Sequence, residues 1–367
     1  MSWQLHAAIL MTPCQKASEK QCYNNPLMQT HLLLAIIKSI RPAQWLKNVV
    51  LFAPLLISGL LFSISPHNGL PYIVSVLYAF VIFCLLSSSI YLFNDVVDKN
   101  ADAAHPFKKK RPIASGQVSV KLALTISVAG IILVAILSLP LGYFFKVLIA
   151  CYVILQISYT SKLKHIPIID VFTIASAFII RVYAGATVCY LRLNSWFLLT
   201  VISAALFIAV GKRQSERTLI ADLSVNLGKT RSTLRHYSQR LLDQYTSIFA
   251  TSTWMSYAFF TFQYQYTHPD QNLSLLYHNL PQIIRPEKLL MFTIPLAILG
   301  VMRYLQLIYE HNQGESPARV LLEDSFLRHI MLVFVLAVLA IIYGIPALND
   351  AAQAYPWLQV LSKPIYL

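Results

Sequence analysis

Asn94, Asp95, Asp98 and Asp102 close an apolar run in the stretch FNDVVDKNADAAHPFKKKRPIASG. Their spacing, i, i+3 and i+7 for the acids, sets three carboxylates within roughly 60° of one another on one helical face, over about 10 Å. Like charges so placed repel, and a divalent cation relieves the repulsion. Oxygen donors with no Cys or His beside them suit Mg²⁺ rather than zinc. Mg²⁺ takes one or two carboxylates and fills its shell from water and substrate phosphates. Lys108, Lys109, Lys110 and Arg111 follow in the same loop. Cations there can hold phosphate oxygens that a metal does not reach. The joint pattern reads as a magnesium–diphosphate site. Taken singly, each half has a plainer reading: a solvated acidic turn, and a basic anchor at a membrane face.

The elements that must position these residues are apolar helices. The chain of 367 residues is 57% hydrophobic and only 12% charged, against about 25% charged in soluble domains. Its mean hydropathy is +0.59. Nine runs near the membrane-spanning length are expected, at roughly 47–64, 71–93, 118–140, 143–159, 166–189, 194–211, 242–264, 288–309 and 326–346. Strand alternation is absent, so helices rather than a barrel are expected. With the N-terminus inside, Lys38, Arg41, Lys47, Lys99, Lys162, Lys164, Lys212, Arg213 and Arg217 fall on the cytoplasmic side with the run 108–111. The outer side keeps Lys146, Arg192, Arg285, Lys288 and Lys363. This bias predicts N-inside and C-outside, as an odd number of spans requires. The net charge of +14 is therefore a topology signal and an attraction to anionic lipid. It does not indicate nucleic acid, since no basic run is interleaved with aromatics on a soluble module. Cys14, Cys22, Cys84, Cys151 and Cys189 have no metal or redox spacing and read as small packing residues.

A second polar set lies on the fifth run. Asp170, Thr173, Ala177 and Arg181, at i, i+3, i+7 and i+11, form one stripe facing the bundle interior. Intramembrane ionisable residues are costly and tend to be paired or functional. Asp170 and Arg181 are about 16 Å apart along the axis, so each needs another partner. Asp170 reads as joining the metal site, fixing Lys162 or Lys164, or capping its helix. Arg181 reads either as a substrate contact or as snorkelling to the outer surface. Tyr159, Lys162 and Lys164, on a short inner loop, suit a second phosphate or a ribose, or simply anchor the loop. Lys212 and Arg213, at the end of the sixth run, read as topological. His105 reads as a surface residue. No internal repeat of the transporter kind is evident.

The stretch NDVVDKNADAAHPFKKKRPIASGQVS resembles the first Asp-rich motif of the UbiA superfamily of intramembrane prenyltransferases, N-D-x-x-D-x-x-x-D followed by R-P-x-x-x-G. Asn94, Asp95, Asp98, Asp102, Arg111, Pro112 and Gly116 match it. RPAQWLKNVVLFAPLL, SYTSKLKHIPIIDVFTIASAFIIRVYAGA, SWFLLTVISAALFIAVGKRQSE and RVLLEDSFL are similar to segments of the decaprenyl-phosphate phosphoribosyltransferase branch. Aromatic prenyltransferases of the superfamily usually carry a second pair of Asp near the fifth span, where this chain has only Asp170.

The resemblance implies an all-α integral membrane enzyme with nine helices in a UbiA-like bundle. It would lie in the plasma membrane with its active site facing the cytoplasm. A loose tail at 1–30, one catalytic domain at 31–350 and a tail at 351–367 are expected. The implied reaction is Mg²⁺-dependent transfer of a phosphoribosyl group from phosphoribosyl diphosphate to a polyprenyl phosphate. Asp95, Asp98 and Asp102 would be catalytic and metal-binding. Asn94, Lys47, Lys108, Lys110, Arg111, Tyr159, Lys162, Lys164, Asp170 and Arg181 would bind substrate. Two alternatives stay open: prenyl transfer to an aromatic acceptor, and a transporter without catalysis. Lipid chain length and homo-oligomer formation also stay open.

Overall fold

The computed structural model describes residues 26–67, 69–104, 108–222, 237–264, 286–310, 323–344 and 346–347. His105 and most of the expected tails lie outside these residues. The helices are α1 (Pro26–Ile40), α2 (Ala53–Ser58), α3 (Tyr72–Val97), α4 (Lys99–Ala104), α5 (Val120–Leu137), α6 (Tyr143–Ser161) and α7 (Ile169–Val188). After them come α8 (Ser195–Asp222), α9 (Gln239–Gln263), α10 (Ile294–Tyr309) and α11 (Ser325–Leu339). A 3₁₀ segment, Pro42–Phe52, leads into α2. Among the described residues the only strand-like pairing is a single bridge between Ile64 and Pro71.

Seven helices among the described residues are long and apolar enough to cross a membrane. Two of the nine expected runs differ. The first, 47–64, is 3₁₀ and then a short helix, because Pro54 sits in the first turn of α2 and Gly59 ends it at φ +78°, a left-handed conformation that suits glycine. The other, 242–264, is a helix of 25 residues, but Asp243, Gln244, Thr246, Ser247, Thr251 and Ser252 interrupt its apolar face.

The chain divides into two compact units, residues 1–42 with 85–133, and residues 43–84 with 134–367. In the first, Ala35, Leu92, Ile113, Val118 and Ala123 form a buried cluster joining α1, α3 and α5. Ser127 Oγ donates to the Ser89 carbonyl at 2.7 Å. A Cβ on Gly130 would stand 2.1 Å from Ser89 Oγ, so glycine lets these helices close. In the second unit, Val171, Ala175, Ala205, Leu206, Ala209, Val210, Tyr237 and Leu242 join α7, α8 and α9. Small side chains at such interfaces let helices approach without a solvent-driven hydrophobic push. A Cβ on Gly185 would lie 1.9 Å from the Leu51 carbonyl oxygen, which fixes how closely α7 meets the 3₁₀ segment.

Candidate active site

In the first unit the helical hydrogen-bond pattern runs on through the acidic stretch. Asp98 N–H donates to the Asn94 carbonyl at 2.9 Å and Asp102 N–H to the Asp98 carbonyl at 2.8 Å. The i, i+3, i+7 geometry therefore holds. Asp95 is 2% exposed and Asp102 4%; Asn94 and Asp98 are half-buried. The turn after them is closed by Ser115 N–H to the Arg111 carbonyl at 2.8 Å, Val118 N–H to the Pro112 carbonyl at 3.1 Å, and Gly116 at φ +81°. That turn aims Arg111 back at the acids. Its Nη1 stands 3.1 Å from Asp95 Oδ1 and 2.5 Å from Asp102 Oδ2. Arg41 Nη2 lies 2.5 Å from the same Asp95 oxygen, and its guanidinium carbon sits 5.4 Å from the Tyr91 ring centroid. Lys108 is half-buried; Lys109 and Lys110 are exposed.

The partners of the buried acids Asp95 and Asp102 are arginines. Among the described residues no three His, Cys, Asp or Glu converge as a metal-holding group. Instead Arg111 neutralises the mutual repulsion of Asp95 and Asp102. Arg41 was missed, because it lies 54 positions from Asp95 and only the fold brings it there. The donor set still fits a hard cation. Asp95 and Asp102 turn oxygens toward one positively charged atom, and those oxygens come without nitrogen or sulfur ligands. The arginines that now balance them are 24–26% exposed at their side chains, so this balance is open to exchange at a surface.

The second unit holds a different cluster. Asp170 is 0% exposed. Arg213 Nε stands 2.7 Å from Asp170 Oδ2. The two atoms are not aligned for a hydrogen bond, so this contact is Coulombic. Arg213 Nη1 donates to Glu216 Oε2 at 2.5 Å and Nη2 to the Tyr159 hydroxyl at 3.1 Å. Tyr237 donates to Asp170 Oδ1 at 2.7 Å and accepts from Ile168 N–H at 2.6 Å. Ile168 has φ +70°, a strained value for a β-branched residue, and Tyr237 pins it where α7 begins. Burial, and then the bond to Asp170, push the Tyr237 phenol well above the usual range.

This cluster corrects two readings. Asp170 pairs with Arg213 and Tyr237, not with Lys162 or Lys164. Arg213 is not a surface topology charge; it is 0% exposed because Asp170 and Glu216 compensate it within the fold. The stripe holds, with Asp170, Thr173, Ala177 and Arg181 all buried. Arg181 does not snorkel: it is 3% exposed and bonds Asn48, Tyr152 and the Ala177 carbonyl. Around the cluster, Lys162 is exposed, and Lys47, Lys164 and Lys212 are half-buried. Lys47 and Lys212 lie within electrostatic reach of each other. Sequence reading missed Glu216 and Tyr237; the signal was KRQSE, whose arginine and glutamate stand at i and i+3 on α8.

The seven long apolar helices among the described residues, three of them carrying buried carboxylates or arginines, describe a multi-pass, all-helical membrane protein. The model of the UbiA prenyltransferase family matches residues 35–269. The decaprenyl-phosphate phosphoribosyltransferase of Corynebacterium glutamicum is 33% identical over 319 residues, 85% of this chain and 87% of that protein. The enzyme of the same name from Mycolicibacterium smegmatis is 37% identical over 235 residues, 63% of this chain and 71% of that protein. A UbiA homolog from Archaeoglobus fulgidus, solved with GPP and Mg²⁺, superposes with a TM-score of 0.59 at 19% identity, covering 84% of this chain and 99% of that one. The chain belongs to the UbiA prenyltransferase family and is a transferase.

Proposed function

We propose that this transferase moves a 5-phosphoribosyl group from phosphoribosyl diphosphate to a polyprenyl phosphate of the decaprenyl type, releasing diphosphate. The observation that carries the reaction class is the pair Asp95–Asp102 bridged by Arg111, with the lysine run beside it. The choice of donor and acceptor is supported by the relatives named for that reaction and by Asp170 being the sole acid of its stripe.

Asp95, Asp98 and Asp102 would hold Mg²⁺, which when bound supplies charge neutralisation of a diphosphate. Arg111, Lys108 and Lys110 contribute charge-assisted hydrogen bonds to phosphate oxygens. Asn94 offers an amide beside them. Lys47, Lys162 and Lys164, with the Tyr159 hydroxyl, would meet phosphate or ribose. The C1–O bond to diphosphate breaks as positive charge builds on the ribose, and these cations stabilise the leaving group. A lipid-phosphate oxygen forms the new bond to C1. That oxygen is already anionic at neutral pH, so no strong general base is required. The polyprenyl chain lies among the helices, which is why a membrane bundle runs the reaction. The topology proposed with it is nine spans, N-terminus inside, in the plasma membrane with the site facing the cytoplasm.

The test uses purified protein in detergent with Mg²⁺, labelled phosphoribosyl diphosphate and a polyprenyl monophosphate. Label entering the lipid phase, and stopping with EDTA, is the expected result. Absence of transfer, with turnover of a polyprenyl diphosphate and an aromatic acid, would move the chain to the aromatic-acceptor branch.

A further inference from the structure

Arg181 lies near the middle of α7 and is 3% exposed. Among the described residues no carboxylate pairs with it. Its partners are neutral: Nε donates to Asn48 Oδ1 at 2.7 Å, Nη1 to the Ala177 carbonyl at 2.7 Å, and Nη2 to the Tyr152 hydroxyl at 2.5 Å. The guanidinium carbon also sits 4.8 Å from the Tyr152 ring centroid. A buried charge without a counter-charge is costly. Leu or Met would fill the same space without that cost. What arginine adds is a rigid planar fork with donors in fixed directions. Here the fork ties α7 to α6 and to the 3₁₀ segment, and Asn48 carries the link onward through Nδ2 to Cys84 Sγ of α3 at 3.4 Å.

The 3₁₀ segment needs such a tie. It runs for 11 residues, whereas 3₁₀ runs rarely exceed three or four. It starts after Arg41, which is itself at φ +56°. Asn48, fully buried, is the residue next to Lys47, the cation of this segment, which lies within electrostatic reach of Lys212. We propose that Arg181 is a positioning residue: by holding Asn48 it sets the register of the 3₁₀ segment, and so where Lys47 presents its charge to substrate phosphate. The last clause rests on the proposed phosphoribosyl transfer; the mechanical one does not.

Hydrogen exchange over residues 42–52 tests the mechanical clause without any substrate. Arg181→Lys keeps the charge and loses the fork; Arg181→Met loses both. Asn48→Asp keeps an acceptor for Nε and adds a counter-charge, giving up the long Nδ2 contact to Cys84 at 3.4 Å. Exchange of the segment is expected to rise about ten-fold or more in both Arg181 variants and to stay within about two-fold in Asn48→Asp. Unchanged exchange in Arg181→Lys overturns the proposal, and so does fast exchange confined to Arg181→Met. In the transfer assay, Arg181→Lys and Lys47→Met are each expected to raise KM for phosphoribosyl diphosphate about ten-fold. The double variant is expected to be no worse than Lys47→Met alone, since the two act through one contact. Fully additive effects overturn the link to Lys47. If the parent protein transfers nothing, the functional reading fails, while the exchange result still decides the positioning role.

Discussion

The Asp95 and Asp170 clusters use the same chemistry and are built for opposite ends. Around Asp95, buried carboxylates meet arginines whose side chains are 24–26% exposed. Around Asp170 the arginine is itself at 0% exposure, and every arm of Arg213 ends on a named group. In the first cluster water reaches the cations, so an incoming anion or metal can compete for either partner. In the second, removing one partner strands a charge in a dry interior, which typically costs about 3–5 kcal/mol. On the proposed function the open cluster is the one that meets ligand, while the sealed one holds helices in register.

The sharpest way to break that comparison is to neutralise each acid. Asp95→Asn and Asp102→Asn are expected to lower transfer by roughly a thousand-fold or more, as loss of charge stabilisation at a reacting diphosphate does. Thermal unfolding in detergent should shift little. Retained turnover in both variants would remove the catalytic assignment. Arg213→Met is expected to show the reverse, about 3–5 kcal/mol of lost stability by thermal or denaturant unfolding. Combining it with Asp170→Leu should recover much of that loss, because the fully buried carboxylate goes with its arginine, while Glu216 is 15% exposed and keeps Lys212 at 3.9 Å. If the double variant is as unstable as the single one, the cluster does more than hold the fold.

Gly185→Ala sharpens the packing side of the comparison. The new methyl would meet a backbone carbonyl at 1.9 Å, which cannot rotate away. A loss of about 1–3 kcal/mol is expected, with faster exchange in residues 42–52. Tyr237→Phe should have the smallest effect, about 1 kcal/mol. Its sign with pH follows from the raised phenol. The stabilisation is complete below the ordinary phenol value of about 10 and fades as pH climbs toward the raised one. The stability difference between parent and variant should therefore be flat through neutral pH and shrink under strong alkali.

Much of the first cluster was legible in the sequence because it is local. Asp95, Asp98 and Asp102 share a face by helical period alone, and Pro112 and Gly116 mark the turn that returns Arg111. The buried stripe on α7 was legible for the same reason. The partners were not. Arg41 reaches Asp95 across 54 positions, Tyr237 reaches Asp170 across 67, and Arg181 reaches Asn48 across 133. A basic residue at a helix end looks the same in sequence whether it faces water or seals a core, so Arg213 read as topology.

By itself, then, the sequence determined that this is a helical membrane protein with an acid-rich face beside a basic loop. Hydropathy and helical period are properties of neighbours along the chain. Only the tertiary structure decided which arginine each aspartate meets and which charges are sealed from water. It also decided that residues 42–52 form a 3₁₀ segment, where the first run was expected to be α-helical from 47 onward. Those outcomes depend on which helices pack together. In a bundle where most faces are apolar, the few buried polar contacts that single out one packing come from residues far apart in sequence.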